Sequence, residues 1–156
     1  MARTYYVSFE GVTVSAPQDL LMIKGAAGKI LRVLSVNLAD IDTTAPTNQQ
    51  LELRCRYLPA TFSSGTGGNS SVPRPYDPGD AAASFTCLTN NTTKGGTNGT
   101  PAILKEDGCN IFSGYEYPFP RPPIIGPSEA FVFELLSSPS GTCTMSGGAV
   151  VEELGG

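Results

Sequence analysis

The chain has 156 residues, enough for one domain with a core of its own. Charged residues make up only 15%, against about a quarter in ordinary globular domains, and 18 Gly and 13 Pro point to a loop-rich β protein with a neutral-polar surface. The net charge of −4 and ten scattered Lys and Arg exclude a nucleic-acid footprint, and no apolar run is long enough to span a membrane.

Period-two alternation starts at once in "TYYVSFEGVTV" (4–14), so the N-terminal segment reads as a strand and not as a signal peptide. The expectation is a chain that works where it is made or leaves by lysis. "DLLMIK" (19–24) and "KILRVLSVNLAD" (29–40) follow as strands, joined through "GAAG". "KGAAGKI" resembles a phosphate loop only superficially: the spacing to Gly-Lys is wrong and Ile30 stands where a hydroxyl belongs. Arg32 interrupts its strand, as an edge residue, an interface contact or a snorkelling arginine. Beyond the turn "TTAPTN", "QLELRCRYL" (50–58) sends Leu51, Leu53, Cys55 and Tyr57 inward and Glu52, Arg54 and Arg56 outward.

The segment from Pro59 to Ala82 carries no strand pattern and is longer than an ordinary connection. Its first half, "SSGTGGNSS", is flexible; its second, "VPRPYDPGD", is stiffened by prolines that also bias the residues before them towards extended backbone. It reads as an arm laid across a partner, with a mobile surface loop as the alternative. Arg74, Pro75, Tyr76, Asp77 and Asp80 are its candidate intersubunit contacts, together with Thr4, Tyr5 and Tyr6 of the first strand, Arg32, and Arg121. "DPGD" has oxygens that suit calcium, but the simpler reading is a β-turn capped by Asp77 with Pro78 and Gly79 at its centre.

A second group of strands follows: "ASFTCLTN" (83–90), "AILKED" (102–107), "NIFSGYEYPF" (110–119), "EAFVFELLS" (129–137) and "CTMSGGAVVEEL" (143–154). "TKGGTNGT", "RPPIIGPS" and "SSPSGT" separate them as turns, and "PFPRPP", which carries Arg121, reads as an edge segment where proline blocks pairing. Phe131, Phe133 and Leu135 point inward. Short alternating strands without a helical period predict an all-β, antiparallel two-sheet sandwich of jelly-roll type. It is a single domain over 1–156, with 59–82 as its extended arm or loop.

Little in the sequence points to chemistry. Without histidine the common proton shuttle and the histidine-based nucleophile arrangements are missing. Cys55, Cys87, Cys109 and Cys143 form no CxxC pair and read as buried thiols in preference to two disulfides or a zinc site. Glu106-Asp107 and Glu152-Glu153 are adjacent on strands and so face opposite ways, unlike a glycosidase pair. No catalytic residue, cofactor or metal is expected, and the chain is not expected to be an enzyme. Tyr5, Tyr6, Tyr115 and Tyr117 offer a stacking surface for a glycan, although alternating aromatics on strands more often form core.

The order "VTVSAPQDLLMIKGAAGKILRVLSVNLAD", "LELRCRYLPATFSSGTGG", "VPRPYDPGDAAASFTCLTNNTT" and "TMSGGAVVEELGG" resembles a family of small virion structural proteins of tailed bacteriophages and prophages. "PRPYDPGD" followed by "NNTT", and the closing "TMSG" with its paired Glu, carry most of the likeness. The wider class is that of head decoration (cement) proteins. The resemblance implies a jelly-roll or β-tulip module seated as a homotrimer at threefold and quasi-threefold positions on the capsid exterior. Its partners would be the major capsid protein and copies of itself, after synthesis in the host cytoplasm, and it would have no catalytic residues. The alternatives are another virion component (tail, neck or head fibre) or a glycan- or receptor-binding β-sandwich.

Overall fold

The computed structural model describes residues 2–43, 50–97 and 100–155; part of "TTAPTN" and part of "TKGGTNGT" lie outside the described residues. The alternation read from the sequence becomes long antiparallel strands: β1 (Arg3–Val14), β2 (Asp19–Lys24), β3 (Ile30–Asp40) and β4 (Gln50–Leu58). Five short or medium strands come next: β5 (Phe62–Ser63), β6 (Asn69–Ser71), β7 (Arg74–Pro75), β8 (Thr86–Asn91) and β9 (Gly96–Thr97). The chain closes with β10 (Ala102–Asn110), a 3-10 turn (Ile111–Ser113), β11 (Tyr115–Pro118), β12 (Ile124–Ile125), β13 (Ala130–Leu135) and β14 (Cys143–Leu154).

Two sheets pack face to face as a sandwich. Sheet A runs β11-β3-β14-β1-β7, with β12 also on β3, and sheet B runs β10-β4-β13-β2-β8-β6. β5 and β9 form a separate two-stranded ribbon. Without β6, β7 and β8, the sheets are β11/β12-β3-β14-β1 and β10-β4-β13-β2. The connections β1–β2, β2–β3, β3–β4, β10–β11, β12–β13 and β13–β14 then each cross from one sheet to the other, and with this strand order they make the double Greek key of a jelly roll. Residues 59–101 are an insertion between two neighbouring strands of that plan, β4 and β10.

Tyr5, Val7 and Phe9 of β1 and Ala149 and Val151 of β14 meet Leu21, Ile23, Leu53, Phe131 and Phe133 of sheet B in the main core. Each large apolar side chain buried there contributes on the order of 1.5–3 kcal/mol. All four cysteines are buried as free thiols, and burial pushes Cys55 up to about 12 and Cys109 up to about 11.

Several expectations are corrected by position. "RPPIIGPS" is more than a turn, because Ile124 and Ile125 pair with Arg32 and Leu31. The segment 59–82 carries β5, β6 and β7, and the strand expected at 83–90 starts only at Thr86. A 3-10 turn divides the stretch expected as one strand at 110–119. Arg56 lies on the outward side of β4, as its alternation requires, yet it is buried. β13 is buried along its whole length, on both faces.

The cause is a second layer. Met22, Leu58, Ala130 and Val132 point away from the main core and are covered by Phe62 and Leu88 of the insertion. Beside them Glu134 takes ion pairs from Arg54, from Arg56 (2.8 Å) and from Lys94 (3.1 Å). Asp19 accepts from Arg56 at 3.3 Å and from the Gly95 amide at 2.6 Å. The insertion therefore covers β2, β13 and the end of β4 on the outer face of sheet B with an apolar patch and a charge cluster, leaving Glu52, Ile103 and Glu106 exposed.

Candidate assembly surface

Among the described residues, the outer face of sheet A has no such cover. The registers Thr4↔Glu152↔Arg32↔Ile124 and Arg74↔Tyr6↔Val150↔Ser35↔Pro118 lay out two adjacent rows across it. Four of the expected contact residues, Thr4, Tyr6, Arg32 and Arg74, are thus neighbours on one face. Arg32 is exposed and pairs with Glu152 at 3.3 Å, while Glu153, one residue on, turns inward. The Tyr6 side chain lies across Gly148, and its hydroxyl donates to the Asn37 side-chain oxygen at 3.4 Å. A Cβ at position 148 would stand 3.0 Å from that hydroxyl oxygen and 2.1 Å from the Val7 carbonyl, so only glycine admits the ring in this pose.

The arm lies on its own chain. Arg74 and Pro75 pair with Tyr6 and Tyr5 as the edge strand of sheet A, and the Tyr76 amide donates to the Thr4 carbonyl at 2.9 Å. Pro75 offers no amide, which is tolerable only at a sheet edge. Ser71 donates to the Ser8 carbonyl, Arg3 pairs with Asp80 at 3.6 Å, and Tyr5 donates to the Ala81 carbonyl at 2.9 Å. At the far end Ser84 donates through its amide (2.8 Å) and hydroxyl (3.2 Å) to the buried Glu153 carboxylate.

Tyr5 is fully buried, edge-on to Phe85 with centroids 5.6 Å apart, so it is committed to the core and presents nothing to a neighbour. Desolvation, with the Glu153 charge second, holds its hydroxyl above the usual phenol range. Tyr115 and Tyr117 also pack on the core, which leaves Tyr6 alone of the four tyrosines on the outer face of sheet A. "DPGD" is the capped turn: Asp77 accepts from the Gly79 amide (2.9 Å), and the Asp80 amide donates to the Asp77 carbonyl (3.0 Å). The Asp77 carboxylate is held on backbone and that of Asp80 on Arg3.

What protrudes from the arm is its tip, with Val72 79% exposed, Tyr76 61% exposed and Asp77 exposed beside it. Arg121 stands at the opposite edge of the sandwich, in a groove of about 290 Å³ lined by Leu104, Phe119, Pro122, Pro123 and Ile124. Sequence reasoning missed Leu104 and Ile124, the apolar floor of this groove. In the sequence Ile124 falls within a turn signal and Leu104 within the expected strand 102–107.

No family model matches the chain, and no curated protein sequence does. One solved structure, from a single-particle analysis of Maize Chlorotic Mottle Virus, is similar over 98% of this chain and 94% of its own, at 10% identity and a TM-score of 0.26. At that score the likeness carries no argument.

Proposed function

We propose that the protein is a structural component of a tailed-phage virion, a head decoration (cement) protein that stabilises the shell by bridging neighbouring capsid subunits. The observation that carries the reading is the double Greek-key strand order, a plan used by viral coat domains. The resemblance of the sequence to small virion proteins of tailed phages, whose wider class includes head decoration proteins, points the same way. The protein acts by burying surface, not by chemistry. Its partners are the major capsid protein and copies of itself as a homotrimer on the capsid exterior. The outer face of sheet A, with Thr4, Tyr6, Arg32 and Arg74, is the face we assign to the capsid, because it is open while sheet B carries its own cover.

Co-sedimentation of the purified protein with expanded phage heads tests this. Saturable binding that Tyr6→Glu abolishes without unfolding the chain is the expected result. A protein that never associates with heads, or one equally well bound after Tyr6→Glu, contradicts it. Binding instead to tails or necks would move the protein to another part of the virion, and binding to a glycan array without particle binding would replace the reading altogether.

A further inference from the structure

The sandwich has two unlike edges, and they complement each other. At one edge the tip of the arm exposes Tyr76 with the acidic Asp77 beside it and Arg74 two residues before, on a backbone stiffened by Pro73, Pro75 and Pro78. At the other, Leu104, Phe119, Pro122, Pro123 and Ile124 form an apolar groove with Arg121 at its side, and Ile103 (55% exposed) precedes Leu104 on β10. Arg121 has no acidic partner among the described residues, whereas nearby Lys105 is held by Asp107 at 3.2 Å and lies over the Tyr117 ring. The two features cannot meet within one chain, because β7 ends sheet A on the side opposite β11 and β12.

We propose that copies of the chain join head to tail, the arm tip of one seating the Tyr76 ring in the Arg121 groove of the next, with Asp77 facing Arg121. The partner is a second copy because each edge supplies what the other lacks: an exposed aromatic ring and an acid against an apolar groove and a cation. Such a contact is heterologous, and it closes into a ring when the rotation between copies divides a full turn. This deepens the self-assembly half of the proposed function and places the self-contact at the two edges that border the outer face of sheet A. Preformed proline-rich backbone at the tip lowers the ordering penalty on association.

Disulfide trapping and light scattering test it together. Tyr76→Cys and Leu104→Cys combined in one chain should give covalent oligomers under mild oxidation, and neither substitution alone should. Arg121→Asp should weaken self-association by roughly a hundredfold through like-charge contact with Asp77. The double variant Asp77→Arg, Arg121→Asp should recover much of it. A wild-type chain that stays monomeric at its highest soluble concentration overturns the proposal. So does an oligomer indifferent to Arg121→Asp, or trapping by either single variant. Monomers that bind heads would sink this contact and leave the virion role standing; rings that ignore heads would do the reverse.

Discussion

The outer faces of the two sheets begin from similar alternating strands and end in opposite conditions. On sheet B the insertion brings Phe62, Leu88, Lys94 and Gly95 down on Met22, Val132 and Glu134, so that β13 has two buried faces. On sheet A, Tyr6, Arg32, Val150 and Glu152 lie beside one another in the strand register, with no second layer over them among the described residues. The difference teaches where this fold keeps its freedom to bind. A jelly roll has two outer faces, and one insertion of residues 59–101 covers part of one of them while its proline-rich middle strengthens the edge of the other.

The largest expected difference lies between two ion pairs that look alike on paper. Glu134 is fully buried and shared by Arg54, Arg56 and Lys94, so Glu134→Ala removes the common anion, leaves the buried Arg56 with Asp19 alone, and should cost about 3–5 kcal/mol in urea unfolding. Met22→Ala, under the ribbon on the same face, should cost about 2–5 kcal/mol through the cavity it leaves. If either variant were as stable as wild type, the cover over sheet B would be loose in solution.

A smaller effect should appear with pH. Burial raises the Asp19 carboxyl to about 6, against the opposing pull of the Gly95 amide and Arg56. The folded state therefore holds this proton more tightly than the unfolded chain does. Stability from this group is greatest at low pH and declines as pH rises through about 6. Between pH 5 and 7 the wild type should lose roughly 1 kcal/mol relative to Asp19→Asn, read from unfolding midpoints. Parallel pH profiles for the two proteins would show that Asp19 is solvated and the cover open.

Glu152→Ala on sheet A should matter least, about 0–1 kcal/mol and less in high salt, because its pair with Arg32 is exposed. An effect as large as that of Glu134→Ala would erase the contrast between the faces.

Much of the sandwich was legible because period-two alternation is local. β2 and β4 fall on the boundaries read from the sequence, and β1, β3 and β14 fall on or within one residue of them. The strands that escaped notice, β5, β6, β7, β9 and β12, are two or three residues long and too short to show a period. Burial of Arg56 and Glu134 was illegible for a different reason. Their cover arrives from Phe62 and Lys94, and no pattern within "LELRCRYL" or "AFVFELL" announces it. The Glu at position 134, breaking an apolar run, was the one local hint. For the assembly surface, the sequence supplied Thr4, Tyr6, Arg32 and Arg74, but only strand register shows that they share a face. Tyr5 was misplaced because its burial depends on Phe85 and Ala81, which reach it through the arm.

The measurement that bears most directly on the account is a single-particle reconstruction of the phage particle carrying this chain. The account predicts jelly-roll density on the head exterior, with the outer face of sheet A against the shell, the covered face of sheet B towards solvent, and each arm tip in a neighbour's groove. A head without that density, or one in which the sheet B cover is turned to the shell and sheet A faces solvent, would contradict it.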